Sequence, residues 1–124
     1  MTYVWVALGG AAGAASRFAV AQWTGARWGG TFPWGTLTVN VTGSLAIGLI
    51  MTILVARGAD PTYRLLLVTG FLGGYTTFSA FSFETLELLE ARRWDAAALY
   101  VGGSVALGLL ATALGLGLGR LFLR

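Results

Sequence analysis

Four long apolar runs separated by short polar connections dominate the chain, at residues 3–23, 34–56, 64–89 and 96–122. Each reaches the roughly 20 residues that carry an α-helix across about 30 Å of hydrocarbon. The connections fall near 24–33, 57–63 and 90–95 and leave no stretch for a soluble domain. The pattern predicts an all-α membrane protein, a single domain over 1–124 with four transmembrane helices. No basic run precedes the first apolar run and no convincing small-residue cleavage site follows it, so that run is read as a retained helix.

A few positions interrupt the apolar pattern from within. The third run contains Gly73 and Gly74 followed by Tyr75, Thr76 and Thr77. Glycine costs about 1 kcal/mol relative to alanine in a helix interior, and β-branched residues add to that. The third helix is therefore expected to be broken at its centre, the blander alternative being a kink. A break frees backbone carbonyls, tolerated at membrane depth only inside protein or around a cavity, and freed carbonyls are a standard cradle for a small cation. Beyond it, Phe78 and Phe81 are three apart and share a face. Aromatics at that spacing are usually core, yet their electropositive edges, turned toward a pore, would hold an anion loosely.

The other runs add polar groups. Thr36, Asn40 and Gly43 share one face of the second helix. The amide of Asn40 has donors and an acceptor that hydrocarbon leaves unsatisfied. Helix-to-helix hydrogen bonding and pore lining are both open to it. In the fourth run Tyr100, Ser104 and Thr112 form a slowly winding line at four-residue steps, interrupted at Gly108. Such hydroxyls make a track of donors for a dehydrated anion. Arg17 lies roughly 21 Å along the first helix from Tyr3. It either snorkels to the far interface or forms a positive vestibule. Small-residue faces at Gly9 and Gly13, and at Gly115 and Gly119, suit close helix contacts within or between chains.

Composition sharpens the class. The 124 residues are 56% hydrophobic and 10% charged, with a mean hydropathy of +0.76, whereas a soluble domain is about a quarter charged. There is no cysteine and no histidine, which removes disulfides, thiolate metal sites and the commonest metal ligand. With no acid cluster at depth either, the chain is read as no enzyme. Glu84, Glu87, Glu90 and Asp95 gather at the end of the third run and beyond, Glu84 deepest. A net charge of +3 gives no reason to expect a nucleic-acid partner.

The distribution of arginines matters more than their sum. With four spans, Arg57, Arg64, Arg120 and Arg124 lie on one side and Arg17, Arg27, Arg92 and Arg93 on the other. Orientation normally follows an excess of Lys and Arg in cytoplasmic loops. An even tally predicts insertion both ways up, and so an antiparallel homodimer with its two-fold axis in the membrane plane. Four helices packed around side chains leave no water-filled path of their own, which also argues for an oligomer.

Three segments carry a family likeness. Residues 9–17 (GGAAGAASR), 35–44 (GTLTVNVTGS) and 70–84 (GFLGGYTTFSAFSFE) closely resemble the Fluc fluoride channels, also called CrcB proteins, and the likeness spans the whole chain. The resemblance implies a dual-topology antiparallel homodimer, surrounded by lipid, in the bacterial cytoplasmic (inner) membrane. It implies passive export of fluoride that enters as HF and is trapped as the anion. Each dimer has two pores lined by both subunits, and a structural sodium ion at its centre. By motif match the sodium ligands are the backbone carbonyls of Gly73 and Thr76. The pore-lining residues are Asn40, Thr77, Phe78, Phe81, Tyr100, Ser104 and Thr112, with Arg17 lining the vestibule. Gly108 departs from the family, which often has a second serine there. A small multidrug-type dual-topology exporter is the main rival. Proton-coupled export needs a titratable carboxylate in the binding chamber, characteristically in the first helix, and this first helix has none. A membrane scaffold leaves the broken helix, Asn40 and the paired aromatics without a purpose.

Overall fold

The computed structural model describes all residues 1–124 and is helical throughout, without a strand. Helix α1 covers Thr2–Trp28 and α2 covers Trp34–Ala56. The third span is Pro61–Glu90. It divides into α3, residues 61–75, and α4, Phe78–Glu90. Helix α5 is Trp94–Phe122. All four spans are long and apolar enough to cross a membrane, and the chain is a multi-pass membrane protein.

The second span has the bounds read from the sequence, and the other three run longer. The largest difference is at α1, which continues five residues beyond Trp23 to Trp28. There Trp23 and Trp28 meet edge to face at 5.4 Å, and the Arg27 guanidinium sits 5.0 Å from the Trp23 ring. These contacts, of the aromatic and arginine kind that suits a membrane interface, accompany the extension of the helix past the apolar pattern. Gly29, at φ +74, ends it. Asp95, read as a loop residue, instead stands in the first turn of α5, where a carboxylate suits the positive helix end. Asp60 starts α3 by accepting from the Thr62 N–H at 2.9 Å, with Pro61 as the first helical residue. That hydrogen bond holds the Asp60 carboxyl below the usual carboxylate range.

Two closely approaching pairs build the bundle. Helix α1 lies along α3, and α2 lies along α5. A Cβ at Gly9 would stand 2.1 Å from the Leu66 carbonyl oxygen, and one at Gly115 would stand 2.2 Å from that of Leu45. Both small-residue faces are therefore used inside the chain, backbone against backbone. The side-chain core is correspondingly small. Leu88, Ala97 and Tyr100 form it at the α4–α5 end, with Phe32, Leu37 and Phe81 packed around them. Only 13 of 124 residues are buried, so most apolar surface must meet lipid or another protein.

Before the break, residues Leu65–Leu72 widen into π-helix. The Gly73 N–H reaches the Val68 carbonyl, five residues back. Thr76 and Thr77 then take extended backbone, at φ −86, ψ 160 and φ −153, ψ 121. A widened turn followed by an extended pair is what glycines and β-branched residues favour over a straight helix.

Candidate functional site

The break is held by side chains from other helices. Asn40 on α2 grips Thr77 with both ends of its amide. Its Nδ2 donates to the Thr77 carbonyl at 3.0 Å, and its Oδ1 accepts from the Thr77 N–H at 2.8 Å. Arg17 on α1 approaches the other side of the break and donates from Nε to the Gly74 carbonyl at 3.0 Å. It is half-buried here and does not snorkel to the interface. Thr42 and the Tyr75 hydroxyl, 2.9 Å apart, tie α2 to the end of α3. Thr77 caps α4 by accepting from the Ala80 N–H at 3.2 Å.

These bonds decide which carbonyls are left. In an unbroken helix the Gly73 carbonyl would accept from Thr77 N–H and the Thr76 carbonyl from Ala80 N–H. Asn40 takes the first donor and the Thr77 hydroxyl takes the second. The Gly74 and Thr77 carbonyls are compensated by Arg17 and Asn40. Gly73 and Thr76 thus lose the donors that a continuous helix would supply. Both line a groove of about 390 Å³, together with Asn40, Ser44, Thr77 and Phe78. The donor set at Gly73 and Thr76 is neutral carbonyl oxygen, the chemistry that hard monovalent cations accept.

The aromatic and hydroxyl residues occupy two settings. Phe78 is 77% exposed at the groove. Its ring centroid lies 5.7 Å from that of Phe81, which leans on Tyr100 at 5.1 Å. Tyr100 is fully buried, and its hydroxyl donates to Glu84 Oε1 at 3.1 Å. Ser104 Oγ is buried with no hydrogen-bond partner. Thr112 donates to the Ser44 carbonyl at 3.1 Å across the α2–α5 seam. Asn40, Thr76, Thr77, Gly73 and Phe78 therefore come together, with Phe81 and Tyr100 adjoining through ring contacts. Arg17 acts from behind the break. A second cavity, of about 450 Å³, opens at the core end between the α1–α2 connection and α4, with Thr36, Glu84, Glu87 and Arg93 in its wall.

Comparison with known proteins establishes the family. The family model described as "CrcB-like protein, Camphor Resistance (CrcB)" covers residues 4–116. The chain belongs to the CrcB family. A CrcB relative from Acidobacterium capsulatum, named fluoride-specific ion channel FluC, is 49% identical over 121 residues, 97% of each chain. One of the same name from Roseiflexus is 47% identical over 121 residues, 97% of this chain and 98% of its own. Another, from Rhizobium meliloti, is 47% identical over 116 residues, 93% of each chain. In this CrcB chain two site features escaped the sequence reading: the Tyr100–Glu84 hydrogen bond and the place of Ser44 in the groove. The depth of Glu84 was a signal for the first. Ser44, one helical turn after Asn40, was a signal for the second.

Proposed function

We propose that two copies of this chain pair antiparallel, groove against groove, in the bacterial cytoplasmic membrane and form pores that passively export fluoride. The observation that carries this reading is the Asn40 clamp, which holds the third span open and leaves Gly73 and Thr76 carbonyls beside an exposed Phe78 ring. The family's relatives named fluoride-specific ion channels support the choice of ion.

Fluoride is small and tightly hydrated, so a selective path must replace its water with donors, none of which holds it too long. The Asn40 Nδ2 carries a second proton not used on Thr77. The Phe78 and Phe81 ring edges offer weak positive surface, and Ser104 holds a buried hydroxyl with no competing partner. Arg17 keeps its charge behind the break, bonded to Gly74, where it raises the local potential for anions without trapping one in the path. The absence of any Asp or Glu from α1 disfavours a proton-coupled exporter.

The Gly73 and Thr76 carbonyls would hold a sodium ion at the two-fold axis. Bound there, the ion supplies a positive charge that satisfies carbonyls from both subunits and fastens the two breaks together. Exchange of sodium for a large organic cation is expected to lower the thermal midpoint of the dimer, and an unchanged midpoint would refute the cradle.

The function itself is tested in liposomes loaded with potassium fluoride. On addition of a potassium ionophore, the purified protein is expected to release fluoride while parallel liposomes retain chloride. Well-folded dimer that releases no fluoride would sink the channel reading.

A further inference from the structure

The polar line on α5 lacks a side chain at Gly108, between Ser104 and Thr112. Packing does not require that glycine. A Cβ built there meets one atom within 4 Å, the Ser44 Oγ at 3.6 Å, an ordinary van der Waals separation. The Ser44 hydroxyl therefore stands from α2 directly beside the place that a residue-108 side chain would occupy. We infer that Ser44 is a further lining residue of the anion path, supplying from α2 the hydroxyl missing from α5 at Gly108. The inference rests on the channel reading above and adds a donor to it.

Two observations place Ser44 beside that path. It is half-buried and lines the groove beside Asn40 and Phe78. Its carbonyl accepts from Thr112, which fixes the next hydroxyl of the line against it. Ser104, one turn before Gly108 on the polar line, has a buried Oγ with no partner. The Ser44 hydroxyl donates to the Asn40 carbonyl at 2.7 Å. That carbonyl is also the helical acceptor for the Ser44 backbone N–H, so turning the hydroxyl away orphans nothing. A single χ1 rotation then moves the proton from the helix to a passing anion, which makes Ser44 a donor that engages and releases.

The test compares fluoride efflux from liposomes for wild type, Ser44→Ala, Gly108→Ser and the double variant, each verified as a dimer by elution volume. Loss of one donor is expected to slow efflux about tenfold in Ser44→Ala. In the double variant the serine at 108 returns a hydroxyl to the same stretch of the path, beside the vacated position, and efflux is expected to recover to within about twofold of Gly108→Ser alone. Where Ser44→Ala does not assemble, Ser44→Cys fills the site with a slightly larger, weaker donor and is measured in its place. Wild-type efflux in the Ser44 variant, or a double variant as slow as the single, overturns the inference while wild-type conduction keeps the channel reading. A wild type without efflux removes both.

Discussion

At the residue scale, Asn40 serves the backbone first. Its amide replaces two helical hydrogen bonds that the break removes, and a carboxamide offers a donor and an acceptor in the same plane without carrying a charge. Asn40→Asp keeps the acceptor for Thr77 N–H but sets a carboxylate oxygen against the Thr77 carbonyl. A buried carbonyl left unpaired costs about 1–3 kcal/mol. This substitution is expected to lower the dimer's thermal midpoint and to cut fluoride efflux at least about tenfold, since clamp and pore donor share one nitrogen. Efflux near wild type would show that Thr77 holds its conformation unaided. That Asn40 needs a protein or water partner was legible from its amide in an apolar run. Which partner was not, because Thr77 lies 37 residues away and is reached only through the packing of α2 against the third span. Arg17 illustrates the same limit. Its position along α1 left snorkelling and a positive vestibule open, and the Gly74 carbonyl is free to accept from it only because the third span breaks at Thr76 and Thr77.

At the element scale, the glycines of α1 and α3 set how closely the helices approach, and that distance places Arg17 at the break. A Cβ at Gly13 would lie 2.1 Å from the Phe71 carbonyl oxygen and 2.9 Å from the Tyr75 nitrogen. Both are backbone atoms, so the helices themselves must separate. Gly13→Ala is expected to destabilise the chain by about 1–3 kcal/mol, the usual range for forced overpacking. Gly102, with nothing within 4 Å of its built Cβ, is the control, and Gly102→Ala is expected to be neutral or slightly stabilising through helix propensity. Thermal unfolding in detergent distinguishes them, and equal midpoints would mean that the α1–α3 crossing is not rigid. The existence and order of the spans, and the break in the third, were readable from apolar run length and glycine placement. The use of both small-residue faces inside the chain was not, because a small face fits a neighbouring helix of the same chain or of another equally well.

At the scale of the whole molecule, the deciding property is orientation. With Arg17 bonded inside the bundle, Arg57, Arg64, Arg120 and Arg124 at one end stand against Arg27, Arg92 and Arg93 at the other, a near-balance that supports the proposed insertion both ways up. An antiparallel dimer needs both orientations from one gene, and in the groove-to-groove pairing proposed above the exposed Phe78 and the freed carbonyls of each copy would lie across from those of its partner. The chain has no cysteine, so a single cysteine at Gly30, in the α1–α2 connection with open space around it, reports which way each copy faces. An impermeant thiol reagent outside intact cells is expected to label about half of the Gly30→Cys molecules, the remainder reacting only after permeabilisation. Adding two arginines beside Arg57 tips the balance and is expected to drive labelling toward one face. Expressed alone, that variant has no oppositely inserted copy to pair with and is expected to lose fluoride export. Co-expression with a chain biased the other way by arginines beside Arg92 should restore it. Export undiminished in the singly biased variant would remove the antiparallel pairing from the mechanism, because two copies facing the same way would then build the path.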